Sequence, residues 1–326
     1  MLTLKCDIAI KRKSNGNIVR FSYANSINVK TSRNNLTDTA EIKVPRKMFW
    51  RGKPLYDFIA PGDSVCIKLG YAEMGNIETV FNGYLKSVET STETTIKCEN
   101  AMRLLKTIEV KAEIIKNFDL KTWVGKYTDI EVVQPDNTDF GTVTVQKQSL
   151  AQALDKIMKD FPYLKCYFDD HKLTFVINDK GGNQNRTHIF DPTRNMISDE
   201  ITYTRAEDVK IAVKAVHINK DGSKLNFTYP EDSTDCEVRT WLCPSATNID
   251  ELKTMAINKQ QEWVMDKIEG NITAFGLPFV RKNDIVKFCH PLKKEIDGKR
   301  FLVSGVDYNF TQQGYRQVIT LGYQLK

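Results

Sequence analysis

The sequence predicts an α+β, mainly β protein: two similar antiparallel β-barrel domains, with a small α/β domain and a helical insertion between them. Three observations carry that prediction. The segment from Asn283 to Leu321 reads as strands and turns throughout. The segment from Gly62 to Cys98 follows the same order of turns and strands. Between them the apolar spacing changes from period 2 to period 3.6.

The closing segment opens with a turn at Asn283-Asp284 and a β-branched and aromatic strand, Ile285-Val286-Lys287-Phe288. Asp297-Gly298 supplies the positive φ of a hairpin reversal, and Phe301, Val303, Tyr308 and Phe310 fall at strand spacing. Ser304-Gly305 marks a bulge or bend, Gln313-Gly314 turns the chain again, and Val318 to Leu321 completes the run. Gly62-Asp63-Ser64-Val65-Cys66-Ile67 matches Asn283 to Phe288 class for class, including the turn aspartate. Phe81 to Val88 resembles Phe301 to Val306, and Thr94 to Cys98 takes the place of the closing strand. A duplicated building block accounts for this, although antiparallel hairpins also resemble one another in general.

In chain order, Leu2, Leu4, Cys6, Ile8 and Ile10 alternate as in a half-buried strand, and a turn at 14–17 leads into Ile18 to Tyr23. Ile27 to Thr31 and Ala40 to Val44 form a second pair, stopped at Pro45. The aromatic segment from Met48-Phe49-Trp50 to Pro61 is expected over a barrel mouth or against a neighbouring subunit. With the later strands this makes a first barrel of residues 1–100.

Residues 101–195 read as the small α/β domain. Short helices are expected at Ala101 to Leu105 and Leu120 to Tyr127. A surer helix starts at Ser149, with Gln152 completing a capping box, and carries Leu150, Ala153, Leu154, Ile157, Met158 and Phe161 on one stripe up to Pro162. Strands at 165–168 and 173–177 flank the Asp169-Asp170 turn, and Lys180 to Asn183 reads as a loop tip. Residues 196–326 read as the second barrel, built from Ile197 to Ile218 and Gly270 to Lys326. Its insertion at about 221–268 carries a long helix, capped by Asn248 with Glu251 three residues on, running through Trp263, Val264 and Ile268 and stopped by Gly270.

With 41% hydrophobic and 27% charged residues, the 326-residue chain is a globular one, long enough for two or three domains. No stretch reaches the roughly 20 apolar residues of a membrane span, and the N-terminus lacks the apolar core of a signal peptide. Seven cysteines, without a CxxC pair, fit free thiols in a reducing compartment. The net charge of +6 is spread over turns at Lys11-Arg12-Lys13, Arg46-Lys47, Arg281-Lys282, Lys293-Lys294 and Lys299-Arg300, which read as solvated faces.

The sequence nominates no catalytic, cofactor-binding or metal residue. His171, His188, His217 and His290 lie in separate turns or strands without ligand spacing, and Asp169-Asp170 is a hairpin tip. No nucleophile elbow, P-loop or dinucleotide fingerprint occurs, and Gly181-Gly182 has no helix behind it to hold a phosphate. What remains is architecture, whose strand edges must be paired, covered or charged.

At this point the order of parts resembles a family. Ser32 to Ala40 before a strand, then Gly62-Asp63, Gly70-Tyr71 and Phe81-Asn82-Gly83-Tyr84, is similar to the baseplate hub proteins of contractile phage tails. Those include the late control D proteins, the phage Mu hub and the hub portion of type VI secretion VgrG proteins. Asp284-Ile285-Val286, Gly298 to Val303, Val306 to Phe310, Gly314-Tyr315-Arg316 and the long helix before Gly270 resemble that family's closing barrel.

The resemblance implies a non-enzymatic homotrimer whose six similar barrels form a pseudo-sixfold ring, adapting a tail tube to a threefold spike. Its partners would be the tube protein, other baseplate proteins and, because no spike repeat follows before Lys326, a separate spike protein. DNA or effector would pass through the lumen. The protein would assemble in the bacterial cytoplasm and end in a virion tail or injection-system baseplate. A tail-associated cell-wall hydrolase and a β-barrel nucleic-acid-binding module are the alternatives from other functional classes.

Overall fold

The computed structural model describes residues 2–75, 77–116, 118–134, 142–160, 164–177, 186–204, 210–218, 223–243, 246, 248–264 and 267–325. These fall into two compact units, Met1–Glu200 with Asn271–Lys326, and Ile201–Gly270. The fold is mainly β.

The first unit begins with β1 (Leu4–Lys11), β2 (Ile18–Phe21), β3 (Ser26–Ser32) and β4 (Thr39–Pro45). Strict alternation buries Cys6, Ile8 and Ile10 of β1 on one face, as the sequence predicts. A small hairpin of β5 (Phe49–Trp50) and β6 (Lys53–Pro54) precedes three longer strands, β7 (Ser64–Tyr71), β8 (Ile77–Thr90) and β9 (Glu93–Glu99).

Chain geometry then changes to short helices and strands around a separate core. Helix α1 (Met102–Leu105) is followed by β10 (Glu109–Val110), β11 (Glu113–Ile115) and α2 (Leu120–Gly125). The carboxylate of Asp119 caps α2 by accepting from Thr122 N at 2.8 Å. Next come β12 (Val132–Val133), β13 (Val143–Val145), β14 (Gln148–Ser149) and α3 (Leu150–Asp160). The predicted capping box forms: Gln152 N donates to Ser149 Oγ and Ser149 N to Gln152 Oε1. Leu150, Ala153, Leu154 and Ile157 of α3 pack with Trp123, Phe118 and Leu105. Phe161 and Pro162, expected to end this helix, lie outside the described residues, as do Lys180 to Asn183. Two further strands, β15 (Leu164–Asp169) and β16 (Lys172–Ile177), make the predicted hairpin, with Asp170 at φ 52° in its turn.

β17 (Thr187–Phe190) follows, and within β18 (Met196–Thr204) the chain passes into the second unit. That unit holds β19 (Ile211–Ile218), β20 (Lys224–Tyr229), β21 (Glu237–Leu242) and α4 (Ile249–Trp263). The Asn248 cap is present, its Oδ1 accepting from Glu251 N at 2.8 Å, and Leu252 and Ala256 pack on Val213 and Ala215. Two expectations are corrected. The sequence assigns 209–218 to the second barrel, yet β19 pairs with β20 and β21 in a sheet of their own. Alternation fixes which face of a strand is buried, not which sheet it joins. The sequence also has Gly270 ending the long helix, but α4 ends at Trp263, and Gly270 lies inside β22 (Lys267–Phe275).

The chain closes with β22, β23 (Ile285–Phe288), β24 (Arg300–Thr311) and β25 (Gly314–Leu325). Thirteen strands form one sheet in the order β18-β22-β25-β24-β3-β4-β9-β8-β7-β1-β2, with β23 attached to β24 and to β17. The bulge predicted at Ser304-Gly305 appears as a register shift between Val303 and Gly305.

Candidate functional site

Two sets of five strands follow each other in the same order in chain and in space. The first set is β3-β4-β9-β8-β7 and the second is β18-β22-β25-β24-β23. The turn leading into β7 is repeated, bond for bond, before β23. Ala60 N donates to Asp63 Oδ2 at 2.8 Å, and Asp63 N returns a bond to Ala60 O. Arg281 N donates to Asp284 Oδ2 at 2.9 Å, and Asp284 N returns one to Arg281 O. Leu85 N donates to Asp63 O while Gly62 N donates to Leu85 O; Val303 and Asn283 repeat that exchange around Asp284. The preceding residue takes a positive φ in both, Gly62 at 97° and Asn283 at 76°. A short carboxylate that closes its own turn explains why aspartate occupies both positions. Each following strand then shifts register at matching places, between Leu85 and Ser87 and between Val303 and Gly305. The outer neighbours differ, because β1 runs antiparallel to β7 and β17 parallel to β23.

The two strand sets are joined edge to edge by β3 and β24, which pair antiparallel from Gly305↔Ser32 to Thr311↔Ser26. Arg33 N donates to Ser304 O at 2.8 Å, Thr31 Oγ1 to Val306 O at 3.1 Å and Asn28 Nδ2 to Asn309 Oδ1 at 2.8 Å. A Cβ on Gly305 would stand 2.8 Å from Thr31 O, so the absence of a side chain permits this approach. Beneath the joint, Lys282 Nζ meets Asp38 Oδ2 at 2.5 Å, both buried. Burial raises the pKa of the Asp38 carboxyl, with the Lys282 ammonium opposing that rise. Tyr308 OH donates to Val280 O at 2.7 Å, and burial pushes its pKa up as well. Arg33 and Lys282 both lie over the Tyr167 ring, 5.3 and 5.6 Å from its centre, tying β15 to the joint.

The histidines singled out in the sequence lie apart and in structural settings. His188 Nε2 meets Asp284 Oδ2 at 3.0 Å, His217 Nδ1 lies 2.7 Å from Cys243 O, His290 Nε2 faces Asp199 at 3.3 Å, and His171 is in the exposed turn before β16. Among the described residues no cluster of three His, Cys, Asp or Glu side chains is placed to hold a metal. Among the described residues no helix is long and apolar enough to cross a membrane. In the aromatic segment, Leu55 and Ile59 anchor the chain, Phe58 meets Trp50 edge-on at 4.9 Å, and Phe49 is 60% exposed.

Reading the basic clusters as solvated faces fails at Arg281-Lys282. Lys282 is buried, and Arg281 pairs with Glu78 at 3.3 Å. Nothing local in the sequence marks Lys282, because Asp38 belongs to the other end of the chain.

No protein-family model and no curated protein matches the sequence. Solved structures do. The tail protein from Neisseria meningitidis MC58 superposes with a TM-score of 0.67 at 14% identity, covering 98% of this chain and 96% of that one. The 43 kDa tail protein of prophage MuSo2 from Shewanella oneidensis gives 0.65 at 14% identity, with 97% of each chain covered. A chain of the Francisella PdpA-VgrG complex gives 0.58 at 10% identity, covering all of this chain and 54% of that one. The fold of this chain is therefore one found in prophage tail proteins and VgrG complexes, the class of structure that its sequence resembles.

Proposed function

We propose that this chain is a structural, non-enzymatic hub subunit of a contractile phage tail or related injection system. Three copies form a ring with pseudo-sixfold symmetry, which joins the tail tube to a central spike. In this reading the two strand sets belong to two barrel-like domains, 1–100 and 196–326, separated by the α/β domain at 101–195, and the second is interrupted by an insertion that holds β19 to α4.

The observation that carries the reading is the repeated turn and strand order, joined side by side through β3 and β24. Two similar units in one chain let a threefold assembly present six similar units to a sixfold tube. The likeness in fold to tail proteins supports a tail-related role. Passage of DNA or effector through the lumen, assembly in the bacterial cytoplasm and incorporation in a baseplate belong to the same reading.

Light scattering on the purified chain, alone and with its spike partner, tests it. A mass of three copies is expected. A chain that stays monomeric in both conditions, or that clears cell-wall substrate in a zymogram, overturns it.

A further inference from the structure

The basic cluster Lys11-Arg12-Lys13 is brought by the fold against a cation from a distant element, Arg103. Lys11 ends β1, and Arg12 and Lys13 enter the turn before β2. Lys13 N donates to Asp63 Oδ1 at 2.9 Å, which ties that turn to the one before β7. Helix α1 buries Met102 and Leu105, leaving Arg103 half-buried and Leu104 38% exposed.

A groove of about 530 Å³ is lined by Lys11, Arg12, Lys13 and Arg103 together with Pro61 and Leu104. No carboxylate lines it, and among the described residues none of the four cations has an acidic partner. The neighbouring acids are already taken. Glu99 holds Lys86 and Lys106, Asp7 holds Arg20, and both carboxylate oxygens of Asp63 accept backbone N–H bonds. Four like charges gathered at one concave surface repel one another, and an anionic occupant relieves that repulsion.

The rest of the lining decides the class of occupant. Tyr84, the aromatic residue of the groove, is half-buried and packs against the core of the α/β domain, so it offers no open face for a base to stack on. The exposed Pro61 and Leu104 offer apolar contact that a phosphate backbone has nothing to fill. We propose that this groove binds an acidic peptide segment of a partner protein, with an apolar side chain seated on Leu104 and Pro61 and flanking carboxylates paired to Arg12, Lys13 and Arg103. Arginine forks on carboxylates fix the register of such a segment, and because these pairs face water the contact weakens as salt rises. The groove is complete within one copy of the chain, so it binds whether or not three copies form a ring.

Fluorescence anisotropy on the purified chain at low salt tests this, with a labelled peptide of two leucines between blocks of three glutamates as the probe. The peptide is expected to bind, and its glutamine counterpart to bind about tenfold or more weakly. Arg12→Glu with Arg103→Glu is expected to weaken binding about tenfold or more. Lys11→Glu with Lys13→Glu, both exposed, gives the same reading where the first pair impairs folding. Arg46→Glu with Lys47→Glu makes an equal change of net charge at two exposed residues outside the groove, and is expected to alter binding less than about twofold. Failure of the peptide to bind, or equal losses in the groove and control variants, overturns the assignment. A single-stranded thymidine oligonucleotide of the same charge that binds as tightly as the peptide, and is lost on the same substitutions, overturns it in favour of a nucleic acid.

Discussion

Lys282 Nζ lies 2.5 Å from Asp38 Oδ2, and the side chains, 8% and 9% exposed, come from opposite ends of the sequence. Asp38 Oδ1 also accepts from Ser32 N at 2.9 Å, at the end of β3 that pairs with β24. The ion pair therefore pins the junction of the two strand sets.

Breaking that pair from one side leaves a buried charge without its partner. Lys282→Met or Asp38→Asn alone is expected to cost about 3–5 kcal/mol, and the double variant far less than the sum. Urea denaturation of the three variants measures this. Additive losses, or single losses below about 1 kcal/mol, would show the pair to be solvated.

Asp63→Ala removes the acceptor of Ala60 N and Lys13 N, and Asp284→Ala that of Arg281 N. Each is expected to cost about 1–3 kcal/mol, the two within about 1 kcal/mol of each other, with Asn in place of Asp less harmful. A large loss at one site and none at the other would contradict the equivalence of the turns.

Gly305→Ala places a Cβ 2.8 Å from Thr31 O, and backbone cannot yield as a flexible side chain does. A loss of about 1–3 kcal/mol is expected. Gly125→Ala, at the end of α2 with nothing within 4 Å of the added Cβ, is the control and is expected to be neutral or slightly stabilising. Equal melting temperatures for both variants would argue against a close approach of β3.

Asp199 is partly buried, which raises its pKa, but its bonds to Lys293 and His290 outweigh burial and leave it below the ordinary carboxylate value. A carboxyl whose folded pKa is depressed contributes stability fully above its unfolded pKa of about 4, and loses it as pH falls through the folded value. Wild type is therefore expected to lose more stability than Asp199→Asn on acidification from pH 5 to about 2. Parallel stability curves for the two proteins would show that Asp199 makes no such contribution.

Local grammar was legible in the sequence wherever a residue acts on its near neighbours. Ser149 with Gln152, Asn248 with Glu251, the bulge at Gly305 and the turn aspartates Asp63 and Asp284 all declare themselves through short-range hydrogen bonds or backbone geometry. Long-range partners were not. Lys282 beside Arg281 has the appearance of a solvated pair until Asp38 is brought against it by the joining of β3 and β24. The strand Ile211–Ile218 alternates like its barrel-assigned neighbours but belongs to another sheet, and Val264 with Ile268 fits a helical spacing although Ile268 lies in a strand. The parallel pairing of β17 with β23 has no local signature at all.

Electron microscopy of the purified chain shows whether three copies close into a ring. Closed particles of three copies around a central hole are expected, with six similar lobes in projection. Particles of single subunits, or open strings without a hole, would contradict it.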